Sequence, residues 1–311
     1  MSKKAKAKKK SIWKDKGSWS LLVLCLPALA AYILFNYIPL IPHFAIPFVD
    51  YKFSQGILGS AFVGLNNFKF ILKLQGLWRI LRNTMFYGAF FGVLGPTVNV
   101  IMALLLFEIT NKKALKFFQT VITFPRFMSM VIVGYITYAI LSPVNGVLNT
   151  VLTAFGADRV DVYMNAKYWP FILTIVNEWK VIGMGSMIYY ASLMGIDSSL
   201  FEAAEIDGAG RWQKMRYISI PHLMPLASIY LILAAENLFK DGFDLYYVIP
   251  RDSKVLYETT DVLGTYLYRA LQSGDYTMGA SIGLLQSIVG LLLVIGANLI
   301  VRKISPDNAL F

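Results

Sequence analysis

Six long apolar blocks constrain this chain more than any other feature of its sequence. They run from Leu21 to Ile41 and over residues 84–107, 118–140, 170–192, 223–247 and 279–301. Each is near the ~20 residues a helix needs to cross the hydrocarbon of a bilayer. A bilayer offers the backbone no water, so a spanning segment must satisfy its own polar groups as a helix or a closed barrel. The expected fold class is therefore all-α, a polytopic membrane protein of six transmembrane helices. Only 15% of the residues are charged, against about a quarter in a soluble domain. The first span, residues 20–42, follows a lysine-rich tail over residues 1–19. Basic residues ahead of an apolar run, with Ala28-Leu29-Ala30 inside it, also describe a cleavable signal peptide. The run continues through Phe35 and is long enough to span, which favours a retained helix. The block at 223–247 is the weakest, because Glu236 and Lys240 interrupt it.

The net charge of +11 would suggest nucleic acid in a soluble protein. Here the basic residues flank apolar blocks, where they set orientation and meet anionic lipid headgroups, so membrane lipids and no nucleic acid are expected as partners. The tail, Lys112-Lys113-Ala114-Leu115-Lys116, the Arg211, Lys214 and Arg216 loop and the Arg302-Lys303 end fall on one side of six spans. That side is the cytoplasm by the excess of lysine and arginine, with both termini inside a prokaryotic plasma membrane. The single cysteine, Cys25, can form no intrachain disulfide, and His43 and His222 share no metal-ligand spacing. No metal site is expected.

The loop over residues 195–221 carries the most information. Ser199 and Glu202 are spaced as a capping box, and Glu202 to Ile206 favours helix. Gly208 and Gly210 permit a turn. A second amphipathic stretch runs to Ile218, and Pro221 is expected to stop it before the next span. The predicted object is a short helix–turn–helix across the mouth of the bundle. Glu202-Ala203-Ala204, three residues, Gly208, nine residues, Ile218, one residue, Ile220-Pro221 resembles the EAA loop of ABC-importer permeases, with isoleucine at 220 where the family has leucine. Asp207-Gly208-Ala209 and the later Pro225 look like the carbohydrate, maltose-type branch. So do Tyr37-Ile38-Pro39, Phe62-Val63-Gly64-Leu65-Asn66-Asn67-Phe68 and Asp261-Val262-Leu263-Gly264-Thr265-Tyr266. Together these resemble permeases for polysaccharide fragments or aldouronate-type oligosaccharides.

The resemblance implies a permease domain over residues 70–304 whose loop 195–221 docks on a cytosolic ATPase dimer. Glu202 would pair with a basic group of the ATPase. Ala203 and Ala204 would allow close approach, Asp207, Gly208 and Ala209 would form the turn, and Ile218 and Pro221 would anchor the loop to the fifth span. The chain lacks Gly-x4-Gly-Lys-Ser/Thr, so it has no such loop to cradle phosphates. It is expected to bind no cofactor and to be no enzyme itself, ATP-Mg being used by the partner. A second homologous permease subunit and an extracytoplasmic solute-binding protein complete the expected partners.

An oligosaccharide needs aromatic platforms beside amides and carboxylates. Polar residues in spans face the bundle interior or water, which selects Asn177, Trp179, Glu236 and Asn237, with Tyr135 and Tyr138 at i and i+3 on one helix face. The competing readings are packing for the aromatics and an interfacial belt for the tyrosines. A secondary transporter would instead use Glu178 and Glu236 as ion sites and would have no role for the 195–221 loop. A membrane enzyme would need a catalytic motif such as His-Glu-x-x-His, which does not occur, or Gly-x-Ser-x-Gly in a strand-to-helix turn, whereas its one match, Gly279-Ala280-Ser281-Ile282-Gly283, lies in the last apolar block.

Overall fold

The structure, a computed structural model, describes residues 16–71, 76–238 and 242–304; most of the basic tail therefore lies outside the described residues. The principal helices are α1 (Lys16–Tyr32), α2 (Leu77–Phe107), α3 (Lys112–Thr123), α4 (Met130–Leu141), α5 (Trp169–Leu193), α6 (Ser198–Ile206), α7 (Ile220–Asn237), α8 (Phe243–Val248), α9 (Leu263–Gln272) and α10 (Tyr276–Ile304). Five helical stretches are long and apolar enough to cross a membrane. A sixth counts if α3 and α4, bent by 101° at their junction, form one broken span.

The span expected over 118–140 is broken at that bend. Pro125 sits in a 3-10 turn, Phe124–Phe127, and a proline ring in a helix interior removes one backbone bond and clashes with the turn before it. Ser129 then starts α4 afresh, accepting from the Ile132 N–H at 3.3 Å. The carbonyl of Met128, left outside both helices, accepts instead from Lys180 Nζ. A neighbouring helix thus supplies the partner that lets a break persist at membrane depth.

Pro221 produces the second correction. It does not stop the helix. Residues Arg211–Ala234 form one long apolar stretch, and a π-helical turn, Met215–Ser219, precedes Pro221, with the Ile220 N–H bonded to the Met215 carbonyl. The wider turn absorbs the proline, as π-bulges commonly do. The fifth span therefore rises directly out of the 195–221 loop and ends at Asn237, with α8 as a separate piece. The chain is also not wholly helical. Val49–Asp50 pairs antiparallel with Ala61–Phe62, Val49 opposite Phe62.

α2 and α5 form the spine of the bundle. Beside it Tyr87, Trp169, Leu173, Tyr246 and Ile249 make one buried cluster, and Ala103, Leu104, Tyr189, Leu193 and Leu223 make another at the other end. α1 stands apart from the core: its residues from Leu22 onward are exposed, as expected of an apolar helix that faces lipid. Small residues permit the closest approaches. A Cβ at Gly183 would lie 2.1 Å from the Ile122 carbonyl oxygen, so α5 meets α3 backbone to backbone, as small residues allow in membranes. Gly183→Ala is expected to cost about 1–3 kcal/mol. Gly95→Ala, whose Cβ meets nothing within 4 Å, should be tolerated. Thermal unfolding of the two purified variants tests this, and equal melting would refute the close-packing argument.

The end of the bundle that holds the strand pair is closed by a polar latch. Asp261 is buried and accepts from Arg79 at 3.3 Å, from Thr265 Oγ1 at 2.9 Å and from Arg269. Arg269 also pairs with Asp252 at 2.9 Å and lies over the Tyr257 ring. Asn83 Nδ2 donates to the carbonyls of Glu258 and Asp261 at 3.0 Å each, and Tyr87 Oη donates to that of Thr259 at 2.8 Å. The connection before α9 is thereby fastened to the first turns of α2. Burial, then the hydrogen bond it donates to Asp252, push the Tyr257 phenol up to about 12, so it stays a donor at physiological pH.

Candidate functional site

At the opposite end, α6 is built with more care than a plain connector requires. Its N-cap is Asp197, whose carboxylate accepts from the Ser199 N–H at 2.9 Å. The capping box expected at Ser199 and Glu202 is not formed, because the helix begins before Ser199 and Asp197 reaches the free amide first. That hydrogen bond holds the Asp197 carboxyl below the usual carboxylate range.

The end of α6 is a Schellman cap. The Ala209 N–H reaches the Ala204 carbonyl at 2.8 Å, and the Gly208 N–H reaches that of Glu205 at 3.0 Å. Gly208 has φ +78°, a left-handed conformation that glycine adopts without strain. Lys214 Nζ then pairs with Glu205 at 3.2 Å, and Gln213 Oε1 accepts from the Gly210 N–H at 2.8 Å. The Phe201 ring packs on Phe107 at 5.8 Å, tying α6 to the end of α2. Glu202, Ala203, Asp207, Gly208 and Pro221 are exposed, while Ala204, Ala209 and Ile218 are half-buried. The Glu202 carboxylate makes no ion pair or hydrogen bond among the described residues. Leu200, Ile206 and Trp212 are exposed beside it, Ile206 at 87%. The result is a rigid projection with a free acid and an apolar rim.

Inside the bundle, a cavity of about 620 Å³ lies between α2, the α3–α4 break, α5, α7 and α8. Its lining includes Arg126, Asn177, Lys180, Asp244 and Tyr246. Asn177 Nδ2 donates to Glu178 Oε1 at 3.1 Å, and the other Glu178 oxygen is buried without a partner. A second cavity of about 160 Å³ is lined by Val131, Gly134, Tyr135, Tyr138, Val248 and Arg251. The Arg251 guanidinium lies 4.2 Å from the centre of the Tyr138 ring.

The expected substrate-path residues therefore divide. Asn177 faces the larger cavity, and Tyr135 and Tyr138 share the smaller. Trp179 is 42% exposed and lines neither. The side chains of Glu236 and Asn237 lie outside the described residues, as does Lys240. The sequence reading does not select Arg126, Asp244 or Arg251 for the pathway, although Arg126 stands immediately after Pro125 within an apolar block. Intramembrane charges are costly, roughly 2.5–3.5 kcal/mol for arginine or lysine at a helix centre.

Residues 95–309 match the family described as the binding-protein-dependent transport system inner membrane component. The chain belongs to that family. It is a transport permease, a multi-pass protein of the plasma membrane. The polygalacturonan/rhamnogalacturonan transport system permease protein YteP of Bacillus subtilis is 31% identical over 93% of this chain and 89% of its own length. Protein LplB of the same organism is 29% identical over 93% of this chain and 90% of its own. Among solved structures, a chain of a bacterial ABC transporter involved in the import of the acidic polysaccharide alginate superposes with a TM-score of 0.85. It is 30% identical, over 95% of this permease and 100% of that chain. A related structure holds the alginate transporter in complex with an alginate pentasaccharide-bound periplasmic protein, with a TM-score of 0.84, 30% identity and coverage of 95% and 99%.

Proposed function

We propose that this permease is one transmembrane half of an ATP-driven importer that carries an oligosaccharide or polysaccharide fragment into the cytoplasm. Both termini and the 195–221 loop face the cytoplasm. The observation that carries this reading is α6 itself: a doubly capped helix, exposed around a Glu202 with no ion pair among the described residues, and joined by one tight turn to the helix over residues 211–237 that forms the fifth span. Such an object has no purpose in a solitary bundle and is suited to seating in a partner.

The partner is a cytosolic ATPase dimer that binds and hydrolyses ATP-Mg. Its closure moves α6, and two rigid connections carry the motion inward. One is the Phe201–Phe107 contact with α2, and the other is the helix that leaves Arg211 for the fifth span. A bundle with two packings, gripped by a partner that binds one of them better, supplies alternating access. A second homologous permease completes the pathway, and an extracytoplasmic solute-binding protein delivers the sugar at the end closed by Asp261. The names of YteP and of the alginate transporter support a saccharide cargo.

Affinity purification of the tagged chain from its host, followed by reconstitution in vesicles, tests the reading. An ATPase and a second permease are expected to co-purify, and uptake of a labelled saccharide should require ATP together with the binding protein. Uptake by this chain alone, driven by an ion gradient without ATP, would overturn it.

A further inference from the structure

Four helices among the described residues end in the same Schellman cap, and Gly156, Gly208, Arg251 and Gly274 hold its first position. That position needs a left-handed backbone, which is why glycine usually fills it. The three glycines have φ of +76°, +78° and +82°. The cap of α8 departs from the rule. Its Asp252 N–H reaches the Tyr247 carbonyl at 3.0 Å and its Arg251 N–H reaches that of Val248 at 3.3 Å, as the motif requires. Yet Arg251 sits at φ 60°, followed by Asp252 at φ 47°, and no other non-glycine residue among the described ones has a positive φ.

A left-handed backbone disfavours an L-residue by roughly five- to thirty-fold, so a side chain kept there has to return a comparable gain. Asp252 does so within the chain. It pairs with Arg269 at 2.9 Å and accepts from Tyr257 Oη at 2.8 Å. Arg251 does not. Its guanidinium lies 4.2 Å from the centre of the Tyr138 ring, and the residue is exposed. An exposed cation–π contact returns only about two- to five-fold. The guanidinium forms no hydrogen bond or ion pair among the described residues, which leaves its five N–H donors unused there. Its aim is nonetheless set, because Tyr163 meets the Tyr138 ring edge-on at 5.5 Å. The contacts made inside this chain do not account for an arginine where three sister caps carry glycine.

We infer that Arg251 is a docking contact that takes a carboxylate on the surface of the extracytoplasmic solute-binding protein. This rests on the import reading above and adds where that protein is gripped. The turn also carries Asp252 of the latch, so it lies at the outer end of the bundle, the face that a protein arriving from outside meets. A guanidinium fork matches both oxygens of a carboxylate, and its seat on Tyr138 holds the fork ready before the partner arrives. Tyr135, 72% exposed and one turn away on α4, stands beside it. Tyrosine and arginine are among the residues that most often anchor protein interfaces.

The test uses the assembled importer in nanodiscs and, as probe, the binding protein that supports uptake in the reconstitution above. Docking affinity and thermal unfolding are measured on the same preparations. Docking to the unaltered importer should weaken as salt rises. Arg251→Gly gives α8 the cap residue its backbone prefers. It is expected to weaken docking at least about ten-fold, while the melting temperature rises or falls by no more than about 2 °C. Arg251→Lys, which keeps the charge and loses the fork, should dock with intermediate affinity. Weaker docking without a weaker fold is what separates a docking residue from a structural one. A larger fall in melting temperature, or failure of Arg251→Gly to assemble, would show that the arginine serves the fold and would overturn the inference. A smaller loss of docking, or docking indifferent to salt, would overturn it too. So would loss of the second permease from the purified variant, which would assign the contact to that subunit. Uptake that needs ATP and the binding protein, with docking indifferent to Arg251, leaves the import reading standing. Absence of all such uptake removes both.

Discussion

Glu202→Lys is expected to leave the permease folded and inserted while reducing ATP-driven uptake at least about ten-fold. The carboxylate it replaces is exposed on α6 and forms no ion pair or hydrogen bond among the described residues, so its loss takes nothing visible from the fold. On the proposed reading, its value lies in a contact made in the assembly. A reversed charge there converts an attractive contact into a repulsive one, and like-charge juxtaposition at an interface costs several kcal/mol. Hydrolysis by the ATPase should persist but lose its dependence on binding protein and substrate. Gly208 offers an independent route to the same result. Gly208→Val forces a β-branched residue to φ +78°, a left-handed backbone that costs an L-residue roughly 1–2 kcal/mol, and it loosens the cap formed by Ala209 and Ala204. Nothing lies within 4 Å of the added Cβ, so the penalty is conformational and not steric. Gly208→Asn, which tolerates that conformation better, should retain more coupling than valine. Uptake and hydrolysis measured together on the same vesicles check both. Normal coupled transport in Glu202→Lys and Gly208→Val would defeat the role assigned to this loop.

Asp261→Ala is expected to be the most destabilising single change at the other end. Its carboxylate is only 2% exposed and lies between two arginines and a threonine. Removing one partner of a buried ion pair leaves the rest uncompensated and costs about 3–5 kcal/mol. Arg269 would keep Asp252, whereas Arg79 forms no other ion pair among the described residues, and its Nε is already buried without a partner. Among the described residues, the connection before α9 would then be held to α2 by hydrogen bonds of Arg82, Asn83, Thr84 and Tyr87. Thermal unfolding of the detergent-solubilised protein should show a large drop. Limited proteolysis should cut between residues 249 and 262 sooner than in the unaltered chain. Asp261→Asn, which keeps the shape and an acceptor for Thr265, should fall between. A melting profile unchanged by the alanine would show that the latch is incidental.

Much of this protein was legible in one dimension. Apolar run length gave the membrane class, because hydrocarbon thickness converts directly into a residue count. The spacing of Glu202, Gly208, Ile218 and Pro221 located the loop, because a helix, its left-handed cap and its re-entry into the bilayer are all local events. The placement of Gly208 at a turn needed no tertiary information, since the requirement belongs to its own backbone. Pro221 was misjudged for a related reason. A proline's local preference is to interrupt a helix, and only the π turn at Met215–Ser219, sustained by packing of the fifth span, cancels it. Asp197 displaced Ser199 as the cap because a two-residue difference in a helix start lies below what pattern can resolve.

The charged cavity was not readable in this way. Arg126 and Lys180 are 54 residues apart in sequence and meet because α3 and α4 bend by 101° and because Gly183 lets α5 press against Ile122. Asp261 and Arg79 are 182 residues apart. Sequence alone fixed what each segment must do for itself: cross a bilayer, cap a helix, turn on a glycine. Which charges face one another was decided only in three dimensions. Close approach depends on volumes and angles contributed by several helices at once, and no single stretch of the chain encodes them.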